Sequence, residues 1–385
     1  MAVVIDETDR VDRSDEQRDY PLFDADAHIC EPPAVWTDYV EEKYKDLILQ
    51  VRVEADGTEA LWIEGERNDV TITQACVPGA YSRTDLNWDD ILQGSFDPAT
   101  RIDVLGQEGL DQAVVFPSVH LLSGDIVDAK VAAANARAYN NWIADFVGHD
   151  RDRLHAVGVC PLQDVDEAVT EIERIAGLGL TGITFRPERY NGMALYDDEM
   201  DRVWSACEAS GLVIGIHGSF GSRMQSLAKT RYRNPFFVHM VCHPFEQMAA
   251  VLDIIAGGVL DQHRTLRIGF FESGLGWLPY WLNRMDEHKE SMGSKVPALT
   301  REPTEIFREQ CFITMESDEG AAFAQLVEAG LEDNVMWGSD YPHYDCTYPN
   351  ARGELDETFA QVPGLNPELR RKVMHDNPRR FLGLS

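Results

Sequence analysis

The sequence predicts an α/β fold in which eight parallel strands form a (β/α)8 barrel. From residue 112 onward, short apolar segments alternate with longer segments of helical pattern. The short segments are apolar almost throughout, as expected for parallel strands that are covered on both faces. Polar side chains occur where these strands end, and such barrels carry their chemistry at the carboxyl ends of the strands. A doubly wound open sheet is the alternative, but no GxGxxG motif follows the first strand.

The first predicted strand begins at Phe23 and ends before Pro32 and Pro33, which cannot continue it. Asp26 and His28 are two residues apart in this strand, so their side chains project to the same side. A carboxylate oxygen beside an imidazole nitrogen supplies half of a divalent metal site. The metal interpretation therefore depends on whether other strand ends supply the remaining ligands.

The N-terminal third of the chain is predicted to hold an arm and an insertion. Residues 1–20 have little to bury, which indicates a mobile arm or an oligomer contact. Residues 21–385 are predicted to form one domain, with an insertion at about 31–111. Within it, residues 38–44 predict a short helix, and the alternating pattern of Leu47–Glu64 predicts a hairpin.

The other strands and the helices between them follow in regular order. Seven further strands are predicted at Ala113–Pro117, His155–Cys160, Gly182–Arg186, Val213–His217, Arg267–Glu272, Cys311–Glu316 and Val335–Asp340. The helical segments are predicted at Asp125–Asp150, Val165–Gly177, Asp198–Ser210, Pro244–Gly258, Pro279–Lys289 and Glu319–Gly330. With the opening strand, this makes the eight strands that the barrel requires.

Ionisable side chains end several of these strands and are expected at one rim of the barrel. They are Asp26, His28, Arg186, His217, Glu272, Glu316 and Asp340. Four different strands thereby supply a residue of the kind that binds divalent metals. The alternative to a metal site is that these polar residues accumulate by chance, since loops begin at strand ends. For His217, the alternative is a hydrogen-bonded core histidine.

The composition limits the partners and the compartment. A formal charge of −32 opposes binding to nucleic acid or to anionic membranes. No apolar run approaches the ~20 residues that span a bilayer, and the charged N-terminus is not typical of a signal peptide. Seven cysteines without a CxxC pair indicate reduced thiols in the cytoplasm. A small-molecule substrate is therefore expected, with no nucleic-acid and no membrane partner.

Five stretches of the chain resemble a known family: Asp24–Pro33, His243–Met248, Phe271–Trp281, Trp337–His343 and Asn377–Leu384. They are similar to the amidohydrolase-2 (amidohydrolase-related, decarboxylase-type) branch of the metal-dependent amidohydrolase superfamily. The resemblance covers nearly the whole chain. It implies a distorted barrel with one divalent metal at its rim, an aromatic or cyclic carboxylate as substrate, and a homodimer or homotetramer.

The ligand positions of that family fall on Asp26, His28, His217 and Asp340. Asp26 replaces a histidine of the usual pair, and related decarboxylases tolerate an oxygen ligand there. No lysine ends the fourth strand, where a bridging carbamate would hold a second metal; Arg186 ends it instead, which favours one metal. A site of two histidines and two carboxylates suits Zn²⁺, with Mn²⁺ as the alternative.

Asp340, Glu272 and His243 are the predicted catalytic groups, with Asp340 moving the proton. Glu272 stands where several relatives carry a histidine. His239 and His243 have the spacing of a helical metal pair, but Pro244 disfavours helical backbone before it, so His243 is predicted to cap the helix that begins at Pro244.

Arg186 and Glu316 are predicted to bind substrate, with a structural salt bridge as the alternative for Arg186 and a structural role for Glu316. The reaction is predicted to be decarboxylation or hydrolysis by a metal-activated water. The alternative from a different functional class is a non-catalytic barrel that binds a metal or a ligand.

Overall fold

The computed structural model of the protein describes residues 19–55, 57–68, 72–80, 83 and 86–384. Residues 1–18 of the predicted arm lie outside the described residues, and so does Asp56 within the predicted hairpin. The predictions for the barrel all fall on residues that the structure describes.

Eight parallel strands form the barrel, and they are neighbours in the order in which they occur along the chain. They are β1 Phe23–His28, β5 Gln112–Phe116, β6 Leu154–Val159, β7 Gly182–Phe185, β8 Val213–His217, β9 Ile268–Phe271, β10 Cys311–Met315 and β11 Val335–Trp337. The segment after β11 completes the circle, because Asp340 N donates to Asp26 O (2.8 Å) and His28 N donates to Tyr341 O (2.7 Å). The prediction of a (β/α)8 barrel is confirmed.

The barrel interior is filled by aromatic side chains below the strand ends. The rings of Phe116 and Phe271 lie 4.5 Å apart, and Phe381 from the last helix packs on Phe271 (5.8 Å) and Phe312 (5.3 Å). Gly269 leaves the room that this packing needs, since a Cβ there would lie 2.5 Å from the Phe271 ring. Polar groups at the rim therefore stand on an apolar floor that excludes water from beneath.

The insertion contains a small antiparallel sheet in place of a simple hairpin. Its strands are β2 Gln50–Val53, β3 Glu59–Ile63 and β4 Glu66–Asn68, in that order. The hairpin between β2 and β3 is confirmed, whereas the third strand was not predicted. The α-helix predicted for residues 38–44 is wrong, because the α-helix of this region is Ala34–Thr37 and ends before residue 38, and only a turn of 3-10 helix, Glu42–Tyr44, lies in the predicted range.

The described residues form sixteen α-helices: α1 Ala34–Thr37, α2 Ile72–Ala75, α3 Pro98–Glu108, α4 Ala129–Val147, α5 Val165–Leu178, α6 Asp201–Ser210, α7 Leu227–Arg231, α8 Pro235–Cys242, α9 Pro244–Ala256, α10 Val259–Gln262, α11 Leu278–Met292, α12 Pro303–Gln310, α13 Gly320–Glu328, α14 Ala351–Gln361, α15 Pro367–Arg371 and α16 Asn377–Leu382. All six predicted helices are present, with shifted ends. In the described part of the chain, no helix has both the length and the apolar character needed to cross a membrane.

Short helical turns of other types complete the chain. Turns of 3-10 helix lie at Glu42–Tyr44, Trp88–Asp90, Gln93–Ser95, Val119–Asp125, Asp198–Met200, Gly293–Lys295 and Glu332–Asn334, and Lys372–Asp376 is one turn of π-helix. The turn at Val119–Asp125 follows β5 directly, and the buried carboxylate of Glu31 accepts hydrogen bonds from Val119 N (2.8 Å) and His120 N (2.9 Å). This links the loops after the first two barrel strands at the rim.

Candidate metal centre

The structure brings Asp26, His28, His217 and Asp340 together at the carboxyl end of the barrel. His28 Nε2 and His217 Nε2 are 3.1 Å apart, and Asp26 Oδ1 lies 3.6 Å from each of these nitrogens. Asp340 Oδ1 lies 3.4 Å from His28 Nε2. All four residues are buried. Two strands, β1 and β8, and the segment after β11 thus supply four potential ligand atoms, of which Asp26, His28 and His217 lie within 4.8 Å of one another while Asp340 groups with His28 and His343.

Hydrogen bonds on the far side of each imidazole define which nitrogen carries a proton. His28 Nδ1 lies 2.8 Å from Pro117 O, and His217 Nδ1 lies 2.7 Å from Gly218 O. Carbonyl oxygens only accept hydrogen bonds, so both Nδ1 atoms are protonated and donate. Burial lowers the pKa of His28 to about 3, which keeps its Nε2 unprotonated. The lone pair of His28 Nε2 then faces His217 Nε2 at 3.1 Å.

The atoms that converge here are of the kind that binds a divalent cation. Asp26 Oδ1 is buried and has no hydrogen-bond partner among the described residues, and such an atom is costly to leave unpaired. Two imidazole nitrogens and two carboxylates form a mixed nitrogen and oxygen donor set of the kind that Zn²⁺ and Mn²⁺ accept. Carbonyl groups that fix the orientation of ligating histidines are also typical of metal sites.

Backbone geometry directs Asp26 toward the centre. The pairing register of β1 with β5 shifts between Asp24 and Ala27, and irregularities of this kind re-aim side chains. The other carboxylate oxygen, Asp26 Oδ2, accepts a hydrogen bond from Thr314 Oγ1 at 3.1 Å. Only Oδ1 is therefore left to face the histidines.

Asp340 is held by a chain of hydrogen bonds that the sequence analysis did not anticipate. His343 Nδ1 lies 2.7 Å from Asp340 Oδ1, and His343 Nε2 lies 2.9 Å from Ser118 Oγ. Ser118 donates its one proton to Ile29 O at 2.6 Å, so it accepts from His343 Nε2–H. One further proton must then lie between His343 Nδ1 and Asp340 Oδ1. The sequence offered one signal for this contact, because His343 follows the strand-end aspartate Asp340 by three residues.

Two residues of the rim have strained backbone. Glu272 (φ 50°) and Asp340 (φ 58°) both adopt the left-handed conformation, which is uncommon for residues with a side chain and concentrates at functional sites. Gly338 allows the approach of β11 to β1, because a Cβ at this position would lie 2.3 Å from Asp26 Cβ. Strain at two rim carboxylates supports a functional role for both.

Glu272 lies beside the four clustered residues without forming a hydrogen bond to them. Its Oε2 is 3.7 Å from His217 Nε2 and 3.7 Å from His243 Nδ1. Burial, with the charge of Asp340 next, raises the pKa of Glu272 well above its usual range. Burial also raises the pKa of Asp340. Both carboxyl groups therefore hold a proton to higher pH than a carboxyl group in water does.

His243 joins two helices and is close to the centre but outside it. As predicted, α9 begins at Pro244 with His243 at its N-cap position. The expectation that Pro244 disfavours helical backbone there is wrong, because the φ of −82° and ψ of −66° of His243 are helical and α8 ends immediately before it. The side chain forms no capping hydrogen bond. Neither ring nitrogen has a hydrogen-bond partner in the described part of the chain, although the residue is 94% buried. His239, four residues earlier, instead pairs with Tyr344 Oη at 2.7 Å.

Arg186 ends β7 in a buried ion pair. Its Nε lies 3.0 Å from Glu188 Oε2 and its Nη2 lies 2.5 Å from Glu188 Oε1. Both side chains are almost completely buried. The salt-bridge alternative therefore describes the contact, but Nη1 is buried and has no partner within the described residues. One donor of this guanidinium remains available.

Glu316 belongs to an acidic pocket beside the four clustered residues. The pocket is lined by Asp26, Glu272, Ser273, Gly274, Thr314, Met315, Glu316, Glu319, Gly338 and Asp340. The side chain of Glu316 is exposed at its mouth, and restricted hydration together with Glu319 and Asp345 raises the pKa of Glu316. The lining contains no lysine or arginine, so a cation would be attracted to this side of the rim.

The fold and the site together define a (β/α)8 barrel with a mixed cluster of histidines and carboxylates at its carboxyl end. Residues 24–384 match the family model described as amidohydrolase. Because the match spans nearly the whole chain, the chain belongs to this family.

The chain is also similar to a curated relative, and solved structures share its fold. The chain is 25% identical to 2-amino-3-carboxymuconate-6-semialdehyde decarboxylase of Dictyostelium discoideum over 298 residues, which cover 77% of this chain and 79% of the relative. An amidohydrolase of Mycobacterium avium subsp. paratuberculosis K-10 superposes with a TM-score of 0.78 at 20% identity, covering 95% of this chain and 100% of the other. A dihydroxybenzoic acid decarboxylase of Polaromonas sp. JS666, solved with bound manganese, superposes with a TM-score of 0.65 at 16% identity, covering 95% and 97%.

Proposed function

We propose that the protein is a carboxy-lyase that depends on one divalent metal and removes CO₂ from a small aromatic or cyclic carboxylate. One observation carries the proposal: the Nε2 atoms of His28 and His217 converge with the carboxylates of Asp26 and Asp340 at a rim that also holds Glu272. Removal of CO₂ requires an acid that protonates carbon, and this rim supplies one. Family membership and the decarboxylase names of the relatives support the same reaction.

Asp26, His28, His217 and Asp340 would hold the metal. When bound, a divalent cation supplies electrophilic stabilisation of the carboxylate oxygens of the substrate and of a neighbouring hydroxyl. Zn²⁺ and Mn²⁺ both suit the donor set, and the manganese bound in the Polaromonas enzyme supports Mn²⁺. The choice between these two ions is a matter for metal analysis.

Proton transfer is assigned to Asp340. When the bond between the ring carbon and the carboxylate breaks, the electron pair stays on the ring carbon and CO₂ departs. The carboxyl group of Asp340 then donates its proton to that carbon, and solvent restores the proton afterwards. His343 and Ser118 hold the carboxyl group in place. Glu272, at 3.7 Å from His217 Nε2, is the second acid of the site.

The remaining rim residues would bind and orient the substrate. Arg186 has one free donor, Nη1, which can hydrogen-bond a substrate oxygen. His243 can do the same with either nitrogen. Glu316 stands on the acidic side of the rim and would accept from a substrate hydroxyl or amine. The barrel floor of phenylalanine side chains excludes water from below, which strengthens these contacts.

Hydrolysis needs a general base at the same rim, whereas decarboxylation needs an acid. Burial raises the pKa values of Asp340 and Glu272, which supports the acid role that decarboxylation requires. The decarboxylase names of the relatives support the same reaction.

Protein loaded with Mn²⁺ or Zn²⁺ should be incubated in D₂O with a panel of hydroxybenzoates and carboxylated phenols, and CO₂ release should be measured. We expect CO₂ in equal amount to a product that carries deuterium at the former carboxyl position by NMR. Chelator-treated protein and Asp340→Asn are the controls. Hydrolysis of esters, lactones or amides without any CO₂ release would contradict the proposal. A protein that binds no metal would support the non-catalytic alternative.

A further inference from the structure

A hydrogen bond joins two well-separated loops at the mouth of the barrel. Tyr344 Oη lies 2.7 Å from His239 Nε2. Tyr344 follows β11, and His239 lies on α8 in the segment after β8. Strands β8 and β11 are three places apart in the circle of eight, so this bond crosses the part of the rim that β9 and β10 form. We call the pair of Tyr344 and His239 the latch.

Tyr344 is the fixed partner of the latch. Its backbone forms two hydrogen bonds with the segment around α2 in the insertion, because Tyr344 N donates to Ala75 O (2.9 Å) and Gly79 N donates to Tyr344 O (2.7 Å). One residue earlier, His343 is bound to Asp340. The position of Tyr344 is therefore set by the same loop that supplies Asp340 to the candidate metal centre.

Helix α8, which carries His239, is held against the barrel by few buried contacts. Of its eight residues, only Val238 and Cys242 are buried. With Ala228 they form a small cluster that is separate from the main core. A segment with few buried apolar contacts opens at a low cost in free energy. The hydrogen bond at His239 therefore contributes a large share of what keeps α8 in place.

The chain on either side of α8 is anchored to the barrel and its loops. Before α8, the buried carboxylate of Asp125 accepts a hydrogen bond from Ser222 Oγ at 2.6 Å. After it, Gln247 Nε2 of α9 donates to Ile216 O (2.8 Å) on β8 and to Phe271 O (3.1 Å) on β9. These anchors leave α8 as the loosely held part between them.

The position of α8 affects the candidate metal centre through His243. Helix α8 ends at the residue before His243, and the rings of His239 and His243 are 5.2 Å apart. His243 Nδ1 lies 3.7 Å from Glu272 Oε2. A Cβ at Gly218, the residue after His217, would lie 2.9 Å from the same nitrogen. Opening of α8 therefore takes His243 away from the rim.

We propose that the latch holds α8 closed over the bound substrate, and that Tyr344 and His239 are positioning residues that keep His243 at the rim. This inference rests on the proposed function, since it takes the substrate to lie between the metal ligands and His243. While the latch is formed, α8 covers this side of the rim, and exchange of substrate requires the hydrogen bond to break. The latch therefore sets how long the substrate is retained, whereas proton transfer stays with Asp340.

Thiol labelling of the full chain tests the latch without any substrate. Cys242 on α8 is 4% exposed, and Cys311 on β10 is completely buried. Labelling with iodoacetamide, followed by peptide mass spectrometry, should show Cys242 reacting about five- to tenfold faster in Tyr344→Phe than in wild type, as loss of one hydrogen bond predicts. Cys311 should stay unreactive in both proteins, because the barrel stays folded. Tyr280→Phe is the matched control, since Tyr280 is 61% exposed on α11.

Two replacements of His239 separate hydrogen bonding from packing. His239→Gln keeps a side chain that can hydrogen-bond Tyr344 Oη, so Cys242 should react nearly as slowly as in wild type. His239→Leu should behave as Tyr344→Phe does. With a carboxylate that releases CO₂, His239→Leu and Tyr344→Phe should raise KM about five- to tenfold and leave kcat within about twofold of wild type, as loss of uniform binding does.

Unchanged labelling of Cys242 in both Tyr344→Phe and His239→Leu would overturn the proposal. So would equal acceleration at Cys311, because the hydrogen bond would then stabilise the whole barrel and not α8 alone. A KM equal to that of wild type, with Cys242 reactive, would overturn the role in substrate retention. Faster labelling of Cys242 alone, in a protein that releases no CO₂ from any carboxylate tested, would support the latch and contradict the proposed function.

Discussion

His343 Nδ1 lies 2.7 Å from Asp340 Oδ1, and the far side of the same imidazole donates to Ser118 Oγ. The first two residues are three positions apart, but Ser118 is 225 positions away from His343. This chain of contacts fixes the carboxyl group to which the proposed mechanism assigns the proton. It also makes the loops after β5 and β11 depend on each other.

His343→Ala should therefore reduce metal affinity or turnover by about 10- to 100-fold, as the loss of a residue that orients a ligand does. His343→Asn retains an N–H at the position of Nδ1 and should recover part of the metal affinity and part of the turnover. Elemental analysis and turnover measure the two effects separately. His288→Ala, an exposed histidine on α11, is the control. Equal behaviour of the alanine variants at 343 and 288 would show that His343 does not position Asp340.

His217→Ala should remove most of the bound metal, because it deletes one of four converging ligand atoms. The neighbouring apolar packing should remain, since the rings of Phe116 and Phe271 contact each other directly. Elemental analysis after dialysis gives the metal content, and His149→Ala tests an exposed histidine outside the cluster. Stoichiometric metal in purified His217→Ala would remove His217 from the proposed ligand set.

Asp340→Asn should lose about 10²-fold or more in turnover even after reloading with metal. An amide oxygen can still coordinate weakly, but an amide neither donates nor accepts the proton at neutral pH. Single-turnover measurements on metal-loaded protein separate this effect from lost affinity. Turnover within a few-fold of wild type would leave Asp340 as a ligand only.

Glu246 should make the protein less stable as the pH rises. Burial, followed by the charge of Glu188, raises the pKa of Glu246 to about 7. A carboxyl group whose pKa is raised by folding stabilises the folded state below its unfolded pKa, and this contribution is lost as the pH rises through about 7. Glu246→Gln keeps an oxygen that accepts from Leu227 N and carries no charge.

That variant should be more stable than wild type at pH 8, by on the order of 1 kcal/mol, and the difference should vanish toward pH 5. Urea unfolding across this pH range measures it. Glu287→Gln, on the exposed side of α11, should show no such dependence. A constant difference between Glu246→Gln and wild type at all pH values would contradict the assigned cause.

The barrel was predictable because parallel strands buried on both faces need apolar sequences, whereas the helices between them repeat their apolar residues at a different spacing. For the same reason, strand ends could be located well enough to place Asp26, His28, His217 and Asp340 at one rim, whereas the resemblance to a family singled out these four as the ligand set. Their meeting required only that the strands be parallel and the sheet closed. The apolar segment of α8 lay outside this regular alternation, and its helix was missed.

Local sequence determined which residues stand at the rim, but only the tertiary structure decided what each one touches. The proton positions of His28 and His217 depend on carbonyl groups of Pro117 and Gly218, which the loop paths place beside them. The pairing of Ser118 with His343 depends on how two distant loops pack. Such contacts follow from the global fold, because neighbours along a strand fix the direction of a side chain but not its partners across the barrel.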